Sequence, residues 1–306
     1  MKKKKKDTTY DYYKKNTFWN DHFLVKEYIN QQITDNPKTD WMKFFFDKYF
    51  AGQEGKVKAL SVGCGNGWQD RDLDTHFKFK KLDGFDISES LIGDAVKKAP
   101  SKNFSYGLRD LNNDSLPHEN YYDLAINVAA LHHVENMEHI VSQVHKTLKP
   151  GGLFVHFEYI GPKRNQYSDS DLHYMNFMQS LFPESMVGRE PIGRPSIEVM
   201  MREDPSEAVG SELIIPTLSK YFHMDYVRFY NGGLLYQVLY NNIENFDELN
   251  VEHNSMLKIA IELEKEMTWS GKVKPLFAFI IARKKGTPSS FKESIKRKLI
   301  GAIEKI

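Results

Sequence analysis

The chain has 306 residues, with 42 basic and 41 acidic side chains and a net charge of +1. That length suits one large domain with additions or a domain with a cap, and the neutral balance gives no electrostatic footprint for nucleic acid. A single cysteine, Cys64, rules out an intrachain disulfide and leaves no thiolate cluster for zinc, and no apolar run approaches the ~20 residues of a membrane span, so no transmembrane segment is expected and a reducing cytoplasm fits.

Residues 1–9 open on the charge block Lys2 to Lys6. No apolar core follows it, so it reads as a disordered basic tail and not as a signal peptide. Residues 10–55 read as an N-terminal helical lid of two helices, broken near Thr34-Asp35-Asn36-Pro37. Phe18, Trp19, Phe23, Val25, Tyr28 and Ile29 give the first an apolar face. Trp41, Phe44, Phe45, Tyr49 and Phe50 do the same for the second, with Asp40 as its cap. The arm either covers a sheet edge or closes its aromatics over ligand and substrate.

From residue 56 strands and helices alternate. Ala59-Leu60-Ser61-Val62 is an apolar run ending in Gly63-Cys64-Gly65-Asn66-Gly67, a buried strand entering a tight turn before a helix. Glycines there let the backbone approach a ligand that a Cβ would strike. Cys64 reads as a small buried residue of the turn. Nineteen residues after Gly67, at the end of the run Leu82 to Ile87, stands Asp86. A glycine turn with an acid one βα unit later is how a doubly wound sheet holds a nucleoside, the carboxylate accepting from the ribose hydroxyls. Trp68 stands where the dinucleotide fingerprint has its third glycine, and no Gly-Lys-Ser/Thr follows, so the turn is neither that fingerprint nor a phosphate loop.

Further strands are expected at 57–62, 81–87, 103–108, 123–128 and 153–160, with Ser88 opening the helix after the second. Leu148-Lys149-Pro150-Gly151-Gly152 closes a helix and turns the chain into the fifth strand. Residues 161–212, rich in Gly, Pro, Arg, Asp and Met, interrupt the alternation. It resumes with a helix near 213–222, a strand near 224–230, a helix near 251–267 and a last strand at 276–282. The expected fold over 56–285 is α/β: a doubly wound, mostly parallel seven-stranded sheet with a substrate-side insertion after strand five. Residues 286–306 form a basic amphipathic tail, with Phe291, Ile295, Leu299, Ile300 and Ile303 at helical spacing among lysines. It packs on the domain or frays; weak contact with a membrane surface is the sharper reading.

The glycine turn, Asp86, Asp110 after the third strand, and the Leu-Lys-Pro-Gly-Gly turn occur in the order found in class I S-adenosylmethionine-dependent methyltransferases, which residues 56–160 resemble. The resemblance implies a Rossmann-like methyltransferase fold with S-adenosyl-L-methionine as cofactor. It implies that Gly63, Cys64, Gly65 and Gly67 approach that cofactor and that Asp86 holds its ribose. Asp110 and Leu111 would lie by the adenine, Asn127 or Val128 would line the cofactor, and Trp68 and Ile87 would flank the adenosine. Ser61 departs from the pattern, because many members carry an acid there. The flanks Trp19-Asn20-Asp21-His22, Glu158 to Pro162, Asp204 to Val209 and Gly232 to Leu235 look like bacterial methyltransferases associated with glycans and secondary metabolites.

A sulfonium cofactor brings its own electrophile, so the protein must align an acceptor, and a sugar hydroxyl also needs help to lose its proton. His132 and His133 follow the fourth strand, where the methyl group is expected, and His133 is preferred as the base. His156 and Glu158 share one face of the fifth strand and Tyr159 the other. Glu158 is expected to contact substrate and His156 to be an interior histidine. No metal site is expected: Ser168 to His173 reads as a helix cap with Asp171 completing its box, and Asp204-Pro205-Ser206-Glu207 as a second helix start. Arg189, Arg194 and Arg202 suit a phosphate or carboxylate on the substrate, or a solvated loop.

Together these point to methyl transfer from S-adenosyl-L-methionine to a small polar acceptor, an oxygen of a sugar or sugar-linked group. The expected partners are a small molecule or glycan and no nucleic acid, since no Asn/Asp-Pro-Pro-Tyr/Phe motif occurs. Transfer to nitrogen on a metabolite or natural product, and a non-catalytic cofactor-binding subunit, are the alternatives. A nucleotide-dependent oxidoreductase is disfavoured by the missing third glycine.

Overall fold

A computed structural model describes residues 18–285. The basic tail at residues 1–9 and the amphipathic tail at 286–306 lie outside the described residues. Two helices come first, α1 (Phe23–Thr34) and α2 (Trp41–Tyr49). Asp35, at φ 62°, stops α1 in the left-handed region, and the Asp40 carboxylate accepts from Met42 N to start α2, as its sequence position predicts.

Then follow β1 (Lys58–Val62), α3 (Trp68–His76), β2 (Lys81–Asp86), α4 (Glu89–Lys97), β3 (Phe104–Leu108), β4 (Tyr122–Val128), α5 (Met137–Thr147) and β5 (Leu148–Tyr159). The remainder is α6 (Asp169–Ser180), α7 (Ile197–Glu203), α8 (Ile214–Tyr221), β6 (Phe222–Phe229), α9 (Leu235–Leu239), α10 (Val251–Trp269) and β7 (Phe277–Lys284). The seven strands form one sheet in the order β3-β2-β1-β4-β5-β7-β6. Every pair is parallel except those made by β7, which runs antiparallel to β5 and β6. The strand order reverses between β1 and β4, and that switch point is where ligands enter such sheets.

Each face of the sheet carries its own apolar layer. On one, Val25 and Ile33 of α1 and Phe45 and Phe46 of α2 are buried with Phe77, Phe279 and Ile281. On the other, Ile140, Val141 and Val144 of α5 and Ile214 and Leu218 of α8 pack on Leu60, Phe154 and Ile280.

Three local readings change. The Leu-Lys-Pro-Gly-Gly stretch is already part of β5: Tyr122 pairs with Leu148 and Leu124 with Leu153, so the ladder bulges around Gly151, whose φ is +79°. The region 161–212 holds α6 and α7 as well as loops, and α6 packs on α9, an element the sequence reading leaves unassigned. Ser168 and Asp171 form the expected capping box. Asp204 to Glu207 does not start a helix. Asp204 Oδ1 instead accepts from the Ser206 amide and hydroxyl, Ala208 turns left-handed at φ 51°, and the segment docks as a loop.

Candidate active site

The C-terminal end of β1 bends sharply at Gly63 and ends in Gly67, which opens α3. Gly63, at φ +68°, is obligatory for packing: a Cβ there would stand 2.4 Å from the Ala130 Cβ. A Cβ on Gly67 would stand 2.8 Å from the Tyr106 hydroxyl. These glycines therefore let the turn close on its own neighbours, in particular on the turn that follows β4.

Ser61, Val62, Gly63, Cys64, Trp68, Gln69, Asp70 and Val128 line a small cavity beside this turn. Gln69 Oε1 lines it while buried without a hydrogen-bond partner. Ser61 takes over no charge, but its Oγ donates to Asp70 Oδ1 at 2.7 Å, so the acid of this corner comes from α3. Burial pushes the Asp70 carboxyl up to about 6, against the hydrogen bonds that hold it down. The same burial raises the Cys64 thiol well above its ordinary value, which makes it inert as a nucleophile.

Asp86 ends β2, its Oδ2 accepting from Gly65 N and its Oδ1 from Ser88 N, both at 2.9 Å. The carboxylate is thus fixed at the rim of the glycine turn. Beside it Ile87 and Leu108 are 64% and 51% exposed, an apolar ledge at the strand ends that suits a flat heterocycle. Trp68 stacks on Phe18, 5.8 Å between centroids. Asp110 turns its carboxylate into its own turn, toward Asn112 N and Asn113 Nδ2. Burial works to raise its pKa, and those hydrogen bonds outweigh it and hold the group below its ordinary range. Leu111 is buried. A cavity with a buried acid, a second acid at its rim and an apolar ledge fits a cofactor that carries an ammonium group, a ribose and an adenine.

The sequence-predicted acid–base candidates also meet at this end of the sheet. Ala129 leaves β4 at φ 50° and swings Leu131–His133 into one turn of 3-10 helix. Glu158 is fully buried on β5 and collects five donors: His132 Nδ1 at 2.6 Å, Tyr159 N at 2.7 Å, Asn127 Nδ2 at 2.8 Å, Leu131 N at 2.9 Å and Ala130 N at 3.0 Å. Burial alone would raise its pKa; the neighbouring imidazolium and these donors bring it below the ordinary value. Glu158 is therefore enclosed and cannot touch a substrate as the strand position suggests; it holds His132. Asn127 spends its amide on Glu158 and on the amides of Ala130 and Leu131, so its side chain faces the interior and not a cofactor. His156 is the interior histidine expected. Its ring is fully buried, which drives its pKa down to about 3.

Burial disfavours charge on His132, yet Glu158 and Glu207 push its pKa up to about 9. His133 is lowered by burial and by the charge of His132. The His133 side chain is 33% exposed against 10% for His132, so His133 is the one an acceptor reaches. Glu207 is a residue the sequence reading took for helix capping. Gly210 N donates to His132 O at 3.0 Å and Arg164 N to Ala208 O at 2.9 Å, so the 204–210 loop docks on the histidine turn. Glu207 Oε2 then lies 3.9 Å from His132 Nε2 and 3.8 Å from His133 Nε2. The insertion arginines serve the insertion: Arg189 donates to Phe182 O, Arg194 to Tyr167 O and Asp169, and Arg202 to Glu203.

Residues 60–156 match the family model described as a methyltransferase domain. The 24-methylenesterol C-methyltransferase 3 of Arabidopsis thaliana is 30% identical over 131 residues, which cover 40% of this chain and 34% of that protein. A mouse mitochondrial protein named as an arginine-hydroxylase is 33% identical over 99 residues, 32% of this chain and 27% of its own. The chain thus spans about a third of the length of these curated relatives. A geranyl diphosphate C-methyltransferase from Streptomyces coelicolor, solved with Mg2+, geranyl diphosphate and S-adenosyl-L-homocysteine, has 12% identity and a TM-score of 0.50 over 79% of each chain, a likeness of fold. Among the described residues no helix is long and apolar enough to cross a membrane. The glycine turn, the fixed Asp86 and the sheet order agree with the domain match: residues 60–156 form a methyltransferase domain of the class I fold, and its cofactor is S-adenosyl-L-methionine.

Proposed function

We propose that the protein transfers the methyl group of S-adenosyl-L-methionine to an oxygen of a small polar acceptor, a sugar or sugar-linked hydroxyl. The observation that carries this reading is the buried Glu158–His132 couple with His133 at its mouth, one turn from the glycine loop. A carboxylate or phosphate oxygen would need no such machinery, whereas a hydroxyl becomes a competent nucleophile only as its proton leaves. The cofactor supplies the electrophilic methyl carbon. Asp86 and the glycine turn bind and orient, Glu158 fixes the His132 ring as a cation that orients the acceptor hydroxyl, and the neutral His133 draws on its proton. Asn165 and Ser206 of the insertion are bonded to Glu207 and His133, so this end of the site is polar, which favours a hydroxylated acceptor over a bare hydrocarbon. A reducing cytoplasm is part of the same proposal, since the single cysteine of the chain can form no internal disulfide.

Calorimetric titration with S-adenosyl-L-methionine tests the frame. Asp86→Ala is expected to weaken binding by roughly 10–100-fold, the worth of one or two charge-assisted hydrogen bonds. His133→Ala should leave that affinity within about twofold and lower kcat on a hydroxyl acceptor by roughly 100-fold or more. Loss of cofactor affinity in both variants, with no separate effect on turnover, would sink the assignment of the histidines.

A further inference from the structure

We propose that His132 Nε2, His133 Nε2 and Glu207 Oε2 form a three-ligand site for a divalent transition-metal ion at the acceptor end of the pocket. One ligand atom from each of the three residues lies within 4.8 Å of the other two, and Glu207 Oε2 is 3.9 Å from His132 Nε2 and 3.8 Å from His133 Nε2. Their contacts at 3.8 and 3.9 Å are beyond hydrogen-bond reach. Each imidazole needs to draw in by only about half an ångström toward Glu207 to share an ion with it through bonds of ~2.1 Å.

The hydrogen bonds behind the cluster carry the argument further. Ser206 Oγ donates to Asp204 Oδ1 at 2.7 Å, so toward His133 Nδ1, at 3.2 Å, it can only accept. His133 therefore holds its proton on Nδ1. Glu158 Oε1, 2.6 Å from His132 Nδ1, fixes a proton on that nitrogen in the same way. With both Nδ1–H groups tied to oxygen acceptors, the two Nε2 atoms are left to face Glu207, and binding of an ion displaces the second proton of His132 to solvent. A carboxylate or hydroxyl behind each ligating imidazole is the arrangement that orients histidines for a metal. Asn165 Nδ2, 3.4 Å from Glu207 Oε1, steadies the third ligand. Two imidazoles and one carboxylate, with His133 and Glu207 partly exposed, favour zinc, cobalt, iron or manganese over magnesium, which prefers an all-oxygen shell.

This inference rests on reading the cluster as the acceptor site, and it says how the imidazoles act there: through an ion that gathers the acceptor oxygen beside the methyl group. The test uses the full chain, stripped with chelator and titrated with Co2+ at pH 7.5, followed by electronic absorption. One equivalent of Co2+ with d–d bands is expected, displaced by Zn2+. Glu207→Gln and His133→Asn, both partly exposed, are each expected to weaken it at least tenfold while S-adenosyl-L-methionine binding and circular dichroism stay unchanged. Substoichiometric binding, or the same spectrum and affinity in both variants, would overturn the site. Methyl transfer by metal-stripped protein that takes up no Co2+ would likewise overturn it and leave the proposed function standing. Co2+ binding that needs Glu207 in a protein that fails to bind S-adenosyl-L-methionine would uphold the site and remove the function.

Discussion

Asp70 is buried to 1% exposure, carries no cationic partner at hydrogen-bond distance among the described residues, and sits in the cavity wall beside the glycine turn. Its folded pKa, about 6, lies above the ordinary 3.8. The folded state therefore binds the proton more tightly than the unfolded chain. That contribution is complete below pH ~4 and is lost as pH rises through about 6. At pH 7 an ionised Asp70 costs up to about 3 kcal/mol, two pKa units at 1.4 kcal/mol each. Asp70→Asn keeps the acceptor for Ser61 and removes the charge, so it is expected to stabilise the cofactor-free protein by about 1–3 kcal/mol at pH 7 and by nothing near pH 4. The same variant should weaken S-adenosyl-L-methionine by about tenfold, because an ammonium group of the cofactor would lose its counter-charge. Urea denaturation at the two pH values, with calorimetry at pH 7, checks both halves. A destabilised variant with unaltered affinity would show that the acid is only structural.

The elements themselves were largely legible. The apolar run into Gly63, the acid at Asp86 and the alternation through β5 are local patterns, and a parallel sheet follows from them because each crossover must be a helix. The capping box of Ser168 with Asp171 is equally local. Glu207 was not legible, and the reason is physical. Asp-Pro-Ser-Glu is a sound helix start on local grounds, but residues 204–210 are fixed by contacts to segments far away in the chain. Gly210 shows the constraint: a Cβ on it would stand 2.0 Å from Val134 O and 3.0 Å from Met137 Cε. Glu158 sits deeper than its strand position suggests for a related reason, since the 3-10 turn of Leu131–His133 closes over it. Gly210→Ala is therefore expected to push the loop off the histidine turn, at a cost of about 1–3 kcal/mol. It should lower methyl transfer at least tenfold with cofactor affinity within twofold. Denaturation, turnover and calorimetry on one preparation read all three. Full turnover would show that Glu207 does not need this docking.

Across the whole molecule the question is whether the N-terminal arm moves. Trp41 stacks on Phe157 and leans on Phe279, at 5.3 and 5.4 Å, so α2 is tied to β5 and β7. Trp19 stacks on Phe277 at 5.3 Å, and Phe46 on Phe77 at 4.5 Å. Glu264 of α10, fully buried, accepts from Tyr28 Oη of α1 and from the amides of Gly232, Leu234 and Leu235, which joins the arm to α9 through one carboxylate. A hinged lid would need a surface it could leave without exposing such aromatics. These helices instead complete the apolar layer on one face of the sheet, and Phe18, ahead of α1, stacks on Trp68 beside the glycine turn. Trp41→Ala is thus expected to cost about 3–5 kcal/mol, the range for an aromatic removed from a packed core. Unfolding should remain a single transition, because arm and sheet share one core. Affinity for S-adenosyl-L-methionine should stay within about twofold in the fraction that remains folded. A lid would give the opposite pattern: little lost stability, weaker binding, and a separate early transition for the arm. Denaturation followed by tryptophan fluorescence and by circular dichroism separates the two, since coincident curves require the arm and the sheet to unfold together.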